Sequence, residues 1–418
     1  MSAFDQAISS LTDKNGKLLL PVVEDMKQRE NPLLIVNLAC DDACAGINDY
    51  IARQYADIAA SGIALCAKAG NCREVIIYTG ETNPDKMLDA LKPGIDIPVS
   101  VISGPSSPVL RDESALYNAM DTGVIRVNRA ELEYRRNFLS YGYQGRPSMV
   151  IDGETAYQAG RLRGNPGEAL TKIVSVINDD AVMKEVPAGT SVEQLLENQE
   201  MSGAVLIGGT CGRFLKGEVI NEANIGFEYE YDSIRVFKGV DCVVNELAGL
   251  YGSIQELSCA KCVMCREGSM QLAAIFKDFT QGRSNRDDIE LIEDICPIIH
   301  AGALCSFGKN MVFPALTALS VCREEIEKHV LGRSCPAGRC RGLMKYIIDP
   351  ALCTGCGECP DSCPEEAIEG KDGFIHIIDE KLCEKCGKCV DSCPEGAIKT
   401  DSGKIKTPKK PVKVGRFS

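Results

Sequence analysis

Apolar residues along the chain recur in two patterns. Short continuous apolar runs at Pro32–Val36 and Val75–Tyr78 predict buried β-strands. Apolar residues at helical spacing predict amphipathic helices, and they fall at Ile58, Ile63 and Leu65, at Met270, Leu272, Ala273, Ile275 and Phe276, and at Ile289, Leu291, Ile292 and Ile295. No run reaches the roughly 18 consecutive apolar residues of a membrane-spanning helix. The pattern therefore predicts a mixed α/β chain with a helical segment downstream and no membrane span.

The composition adds one unusual feature, 22 cysteines in 418 residues with 3 histidines. The N-terminus shows neither the basic nor the apolar segment of a secretion signal, so we expect a cytoplasmic protein of two or three domains. In a reducing compartment, cysteines at this density are chiefly metal ligands. A net charge of −13 argues against a general nucleic-acid binder, and the few histidines argue against a hydrolytic site.

The C-terminal region contains an internal repeat with a period of 30 residues. The segment Tyr346–Cys353 recurs as His376–Cys383, and each copy continues as C-x2-C-x2-C-x3-C-P. In this motif three close thiolates face one iron–sulfur cube, and the fourth cysteine, followed by proline, reaches the other cube. The motif predicts one [4Fe–4S] cluster on Cys353, Cys356, Cys359 and Cys393 and a second on Cys383, Cys386, Cys389 and Cys363. The arrangement resembles a bacterial two-cluster ferredoxin, whereas zinc ribbons use pairs of C-x2-C.

A third group of cysteines lies upstream. Cys259, Cys262 and Cys265 are followed by Arg-Glu-Gly, by about forty residues with helical periodicity, and by Cys305. Three clustered thiolates and one returned by a helical hairpin predict another [4Fe–4S] cluster. Cys296 could compete as the fourth ligand, although its position before Pro297 and an apolar run favours core packing.

These motifs resemble the NADH-binding flavoprotein subunit of respiratory complex I and the diaphorase subunit of electron-bifurcating hydrogenases and formate dehydrogenases. The resemblance extends through Val186–Leu195, which is similar to a β-grasp domain, and through Cys335–Cys340. It implies a fold of class α/β plus α, with a degenerate FMN/NAD-binding-like α/β domain at 1–175, a soluble-ligand-binding β-grasp domain at 176–245, a four-helix [4Fe–4S] domain at 246–334, a zinc-like loop and 2[4Fe–4S] ferredoxin domain at 335–402, and a basic tail at 403–418.

The resemblance breaks in the nucleotide-binding region. Residues 1–36 contain one glycine, Gly16, where the family has a glycine-rich loop whose bare N–H groups hold phosphates. Parts of the family's flavin site survive in altered form at Asn37, Glu113, Asp152 and Glu154. The comparison with the family implies that the fold is kept, whereas binding of FMN and NAD(P) is not expected.

Four further cysteines, Cys40, Cys44, Cys66 and Cys72, lie in the same region. One hypothesis is an additional cluster in the place of the flavin, and the other is small buried hydrophobic residues. Their spacings, C-x3-C and C-x5-C, match no cluster motif, which favours the second hypothesis.

A zinc site is predicted around His329, Cys335 and Cys340, which match a zinc-like His-x5-Cys-x4-Cys site of the related diaphorases. Cys322 lies seven residues before His329 on the same predicted helix face and is the candidate fourth ligand. The alternative is a helix-capping histidine with buried thiols. His300 and His376 are predicted to be structural, with a hydrogen bond from His300 to a cluster sulfur near Cys305 as a lesser alternative.

The predicted function is that of an iron–sulfur subunit that relays single electrons, because thiolate-bound cubes change charge by one electron. By resemblance, its partners are a flavin/NAD(P)-binding subunit, a hydrogenase or formate dehydrogenase, a thioredoxin-like 2Fe-2S subunit and, as a further candidate, ferredoxin. Two alternatives are an FMN-dependent diaphorase and a cluster-bearing scaffold or redox sensor. Acidic residues near the ferredoxin motifs favour basic partner surfaces, at Glu358, Asp361, Glu365, Glu366, Glu384, Asp391 and Glu395.

The C-terminal residues 404–416 are basic and have little that could pack. Their charges are Lys404, Lys406, Lys409, Lys410, Lys413 and Arg416. We expect a solubilising disordered tail, with docking on an acidic partner as the alternative.

Overall fold

The protein is described by a computed structural model. The structure describes residues 9, 11–13, 18–42, 45–128, 142–165, 167–196, 203–225, 233–400 and 405–417. The chain divides into two compact units, one made of Met1–Gly239, Gly249–Ala273 and Ile289–Arg323, and the other of Val240–Ala248, Ala274–Asp288 and Glu324–Ser418. None of the described helices combines the length and apolarity that a bilayer crossing requires.

The first unit begins with a parallel four-stranded sheet flanked by helices. Its elements are α1 (Leu19–Lys27), β1 (Leu33–Asn37), α2 (Ile47–Gln54), α3 (Ala56–Ala69), β2 (Glu74–Thr79), α4 (Pro84–Leu91), β3 (Val99–Ser103), α5 (Glu113–Thr122), β4 (Ser148–Asp152) and α6 (Gly153–Gly164), with the strands in the order β3-β2-β1-β4. The predicted apolar run forms β1, which is buried throughout. Leu34 and Val36 pack in one core, whereas Leu33 and Ile35 pack in another. Both faces of the sheet are therefore covered, as is typical of parallel sheets.

A second, mixed sheet follows in the same unit. It comprises β5 (Thr171–Ile177), β6 (Ala181–Pro187), α7 (Val192–Leu195), β7 (Val205–Ile207), β8 (Arg213–Leu215), α8 (Glu218–Glu222) and β9 (Ser233–Val236), with the strand order β6-β5-β9-β7-β8. The strand β5 pairs antiparallel with β6 and parallel with β9. The predicted domain boundary after residue 175 falls inside β5.

Helices dominate the chain from residue 243 to residue 330. They are α9 (Val243–Leu257), α10 (Val263–Gln281), α11 (Asp287–Gly302), α12 (Ser306–Asn310), α13 (Phe313–Val321) and α14 (Arg323–Val330). Leu272 and Phe276 of α10 and Ile289 and Ile292 of α11 are buried, as the helical spacing predicts. Two positions of that pattern, Met270 and Leu291, are instead exposed.

The ferredoxin-like repeat of the second unit pairs strands across its two copies. Its elements are β10 (Tyr346–Ile348), α15 (Glu358–Asp361), β11 (Ile368–Glu369), β12 (Phe374–Ile375), β13 (Ile377–Ile378), α16 (Lys388–Ser392), β14 (Ile398–Thr400) and β15 (Val412–Lys413). The strand that opens each copy pairs with the strand that closes the other, since β10 pairs with β14 and β13 with β11. The hydroxyl oxygens of Ser362 and Ser392, which the repeat relates, lie 2.8 Å apart.

The expectation of a disordered basic tail is wrong for residues 405–417. The strand β15 pairs antiparallel with β12. Phe417 packs, partly buried, against the ferredoxin-like core. These few apolar residues suffice to fix the segment against its own domain, while Lys404 lies outside the described residues.

Candidate metal and cluster sites

The first cluster site consists of Cys353, Cys356, Cys359 and Cys393, whose side chains line one cavity. Burial raises the pKa of Cys359 to about 12, and the nearby charges of Cys353, Cys393 and Cys356 contribute to the rise. The backbone N–H of Ala397 donates to the Cys393 sulfur at 3.3 Å. Cys393 thus joins the three thiols of the other repeat copy, as the motif predicts.

The second cluster site consists of Cys363, Cys383, Cys386 and Cys389. Burial raises the pKa of Cys389, and the charges of Cys383, Cys363 and Cys386 contribute. The N–H of Ala367 donates to the Cys363 sulfur at 3.3 Å, which repeats the contact at Cys393. The N–H of Lys385 donates to the Cys383 sulfur at 3.4 Å. Hydrogen bonds of this kind stabilise thiolates, which are the ligand form of cysteine.

The central cluster site consists of Cys259, Cys262, Cys265 and Cys305. Burial raises the pKa of Cys265 to about 11 and that of Cys305 to about 12. The charges of Cys262 and Cys259 act on Cys265, and those of Cys259 and Cys265 act on Cys305. Cys305 caps the N-terminus of α12, where its sulfur accepts the N–H of Gly308 at 3.5 Å. The helix hairpin therefore returns Cys305 to the three clustered thiols.

Cys296, the competing fourth ligand, packs in the core of α11. Its side chain is completely buried. Burial alone raises its pKa to about 12. The same unit thus contains two thiols near the end of the hairpin, of which Cys305 is the one beside the other cysteines.

A metal quartet is formed by Cys242, His329, Cys335 and Cys340, whose ligand atoms all lie within 4.8 Å of one another. The Cys242 sulfur is 3.2 Å from Nε2 of His329 and 3.6 Å from the sulfur of Cys340. Zinc bound by sulfur and nitrogen at about 2.0–2.3 Å requires ligand atoms this close. In the described part of the chain, this is the one group of three or more potential ligands packed so tightly.

Electrostatics and hydrogen bonds prepare the quartet for a cation. The hydrogen bond with Cys340 lowers the pKa of Cys242 to about 4 against the opposing effect of burial, and the hydrogen bond with His329 lowers it further. Burial lowers the pKa of His329, but hydrogen bonds with Cys242 and the Glu325 carbonyl outweigh it and raise the pKa to about 9. The 2.8 Å contact of Nδ1 with that carbonyl orients Nε2 toward Cys242, as outer partners of metal-binding histidines do.

The prediction of Cys322 as the fourth member is wrong. Cys242, directly before α9, occupies that place, and it lies 87 residues before His329. A shared helix face puts Cys322 near His329 in sequence, but long-range folding decides which thiol arrives. No local spacing signals Cys242, and only its being a cysteine without another motif could raise it as a candidate.

Two family models match the chain at these sites. Residues 247–329 match the NADH-ubiquinone oxidoreductase-F iron-sulfur binding region, and residues 352–398 match the 4Fe-4S dicluster domain. The predicted resemblance to the flavoprotein subunit is confirmed.

Named relatives agree with this resemblance to F-type subunits. The chain is 30% identical over 246 residues to the NADP-reducing hydrogenase subunit HndC of Solidesulfovibrio fructosivorans, an alignment that covers 54% of this chain and 48% of the relative. It is 22% identical to the F-type subunit of the NADH-quinone oxidoreductase of Streptomyces coelicolor over 58% of this chain and 59% of the relative. The chain thus spans about half the length of the curated relatives that it matches.

A solved structure shares the fold. The crystal structure of an NAD+-reducing [NiFe]-hydrogenase in the H2-reduced state superposes with a TM-score of 0.69 at 19% identity, covering 78% of this chain and 62% of that one. The likeness supports a mixed α/β architecture with iron–sulfur regions, as in the F-type resemblance.

The residues that correspond to the altered flavin site of F-type subunits have internal partners. Nδ2 of Asn37 donates to the Leu110 carbonyl at 2.9 Å. Asp152 caps α6 by accepting the N–H of Thr155 at 2.8 Å. Glu154 forms a 2.6 Å ion pair with Lys172, and the two side chains are only 4% and 3% exposed. Glu113 lies in the first turn of α5.

The N-terminal segment covers part of this edge of the sheet. A small cavity beside Asp152 and Glu154 is walled by Leu11, Thr12 and Asp13. Leu11 is buried, and the Thr155 hydroxyl lies 3.4 Å from the Thr12 carbonyl. Gly16 lies outside the described residues. The segment that precedes β1 therefore packs onto the residues that would face a nucleotide.

The cysteines of this region do not form one group. Cys40 lies in the core on one face of the sheet, whereas Cys66 and Cys72 lie in the core on the other face. Burial raises the pKa of both Cys66 and Cys72 to about 12. Cys44 lies outside the described residues. The described three match the hypothesis of small buried hydrophobic residues.

The two remaining histidines occupy different environments. Nδ1 of His300 is 2.8 Å from the Lys309 carbonyl, and its ring packs against Phe313 with centroids 5.5 Å apart. His376 is buried, and it lines the cavity of the first cluster site. Burial lowers the pKa of His376.

Proposed function

We propose that this chain is an iron–sulfur electron-transfer subunit that relays single electrons through three [4Fe–4S] clusters within a multi-subunit oxidoreductase. The observation that carries the proposal is the gathering of twelve cysteines into three sets of four, each completed by a thiol distant in sequence. The two matched iron–sulfur regions support it, because they cover members of all three sites.

The protein's own contribution is to bind the clusters, shield them and tune them. Twelve thiolates supply the four ligands that each cube needs, and the cube itself supplies one-electron chemistry. Apolar side chains such as Ile348, Ile375 and Ile398 surround the ferredoxin-like cysteines and keep water away. Backbone N–H groups at Ala367 and Ala397 reach ligand sulfurs and stabilise the charge on them.

We propose further that the chain works without its own flavin. The ion pair between Glu154 and Lys172 and the capping role of Asp152 support this, since these carboxylates serve the fold. The Leu11–Asp13 segment beside them supports it as well. The competing proposal is an FMN-dependent diaphorase, which the F-type resemblance favours. A third is a scaffold or redox sensor whose clusters mainly join subunits.

The proposed partners follow from the relatives, which carry names of hydrogenase and NADH-quinone oxidoreductase subunits. We propose a complex of hydrogenase or formate dehydrogenase type, in which a flavin/NAD(P)-binding subunit and a thioredoxin-like 2Fe-2S subunit contact this chain. The metal quartet would hold one zinc ion as a structural element, because four protein ligands leave no open position for a substrate.

Cofactor content tests the proposal. The purified full-length chain should contain about twelve iron and twelve sulfide atoms, the sum of three cubes, and acid extraction should release no flavin. Cys305→Ala should lose about four iron atoms, whereas Cys296→Ala, a matched change at a buried thiol of the same hairpin, should keep them all. Equimolar flavin would favour the diaphorase. Equal iron in both variants would contradict the central site, and clusters that fail to cycle with a partner enzyme would favour the scaffold.

A further inference from the structure

His376 is a buried polar side chain on the wall of the first cluster site. Its relative exposure is 1%, and it lines the same cavity as the four cysteines. Three other polar residues on that wall, Thr354, Glu358 and Glu395, are exposed to solvent. Among the residues that line this cavity, His376 is therefore the polar one that is shielded from water.

One nitrogen of this ring lacks a partner within the described chain. Nε2 of His376 is buried, and no described residue forms a hydrogen bond with it. An unsatisfied buried N–H costs about 1–3 kcal/mol, so such a group calls for a partner that belongs in the cavity. Cluster sulfides and thiolate sulfurs accept hydrogen bonds.

The fold makes room for the ring at this place. A Cβ at Gly370 would lie 2.1 Å from Cδ2 and 2.7 Å from Nε2 of His376, so that only glycine allows the ring to pack there. The residue is not an ordinary apolar filler, because a phenylalanine or leucine would fill the same space without leaving a polar atom unpaired.

The internal repeat supplies a natural comparison. Tyr346 is the counterpart of His376, 30 residues earlier. Its hydroxyl lies 3.4 Å from the position of a Cβ at Gly387, next to Cys386 of the second cluster site. That hydroxyl has Sδ of Met344 at 3.9 Å as a weak partner. The two copies thus place different side chains beside their clusters, a buried imidazole in one and a phenol in the other.

We propose that Nε2–H of His376 donates a hydrogen bond to a sulfur of the cluster in the first cluster site and raises the reduction potential of that cluster above that of its repeat-related neighbour. The inference rests on the proposed function, since it requires a cluster at that site. A donor at sulfur stabilises the more negative, reduced state, and hydrogen bonds to sulfur are a recognised control of potential. His376 is thus a positioning and tuning residue, and its asymmetry with Tyr346 gives the electron path a direction.

The experiment is a redox titration of the full-length chain followed by electron paramagnetic resonance. The signal of the first site is identified as the one altered by Cys356→Ser, a change at an exposed ligand. His376→Phe keeps the ring and removes the donor, so the ratio of reduced to oxidised cluster at that site should fall about tenfold at fixed potential, or about 59 mV. His376→Gln keeps an N–H donor and should restore most of the shift. Tyr346→Phe, the matched change in the other copy, should leave the first site unchanged.

A second measurement needs no variant. With 3 histidines in the chain, 15N-histidine labelling introduces few spins, and pulsed resonance of the reduced protein should detect a weak 15N coupling at the first site that His300→Gln leaves intact. An unshifted first-site potential in His376→Phe, an equal shift of both sites or the absence of that coupling would overturn the inference alone. Absence of any iron–sulfur signal from the wild-type chain would overturn the proposed function and this inference with it.

Discussion

Cys242 and Cys322 are both buried thiols, yet their surroundings differ in what they can bind. Cys242 faces His329 and Cys340 at 3.2 and 3.6 Å, with a pKa lowered to about 4. Cys322 ends α13 and packs in the apolar core. A thiol becomes a ligand when neighbouring donors stabilise its thiolate, and it remains an apolar side chain where burial raises its pKa.

This contrast predicts that Cys242→Ser removes zinc from the chain while Cys322→Ser does not. Changes at outer partners of a metal already cost about 10–100-fold in affinity, so loss of a direct ligand should cost at least as much. Elemental analysis after brief exposure to a chelator should find about one zinc per chain in the wild type and in Cys322→Ser, and little in Cys242→Ser. Iron content serves as the control for folding. Equal zinc in the two variants would exclude Cys242 as a ligand.

At the scale of elements, α3 and α6 approach each other closely because both carry glycine at the crossing. A Cβ at Gly62 would lie 1.8 Å from the Ala156 carbonyl oxygen, and a Cβ at Gly160 would lie 1.9 Å from that of Ile58. The backbones therefore touch where side chains would otherwise separate them. This contact holds α6, which follows β4 and carries Glu154, against the rest of the first sheet.

We expect Gly160→Ala to destabilise the fold, since the added methyl group collides with backbone and not with a flexible side chain. Overpacking of this kind costs about 1–3 kcal/mol, visible as a lower thermal unfolding temperature. Gly164→Ala provides the matched control at the end of the same helix, where a Cβ meets nothing within 4 Å. Alanine favours helix over glycine, so that variant should be unchanged or slightly more stable. A Gly160→Ala protein as stable as the control would contradict the close crossing.

The elements that the sequence predicts are those with strong local signals. A buried apolar run specifies β1, and the cysteine spacing specifies which thiols meet in the ferredoxin-like repeat. The tail escapes prediction because pairing of Val412–Lys413 with Phe374–Ile375 is a long-range contact that a lysine-rich composition conceals. Cys242 escapes it for the same reason, as its partners lie far along the chain. The environment of His376 likewise depends on Gly370 and on thiols of both copies.

At the scale of the whole molecule, a relay must meet its partners near a cluster. Around the central cluster site, several large apolar side chains are exposed, among them Met264, Ile298 and Leu304. Met264 packs beside Gly302, which brings the start of α10 next to the end of α11. Exposed apolar side chains grouped in this way mark interaction surfaces more often than chance exposure does, and two of them adjoin Cys265 and Cys305.

We therefore predict that Met264→Glu or Leu304→Glu weakens assembly of the complex without removing the cluster. A buried, unpaired carboxylate in an interface costs several kcal/mol, so affinity purification of the tagged chain from cells that encode its complex should recover at least about tenfold less of the partner subunits. Val182→Glu changes an exposed apolar residue of β6 in the same way and should leave recovery unchanged. Iron content should match the wild type in all three variants, because the changed side chains are not ligands. Full recovery with Met264→Glu and Leu304→Glu would place the docking surface elsewhere, and equal loss with Val182→Glu would show that added charge alone disturbs the assembly.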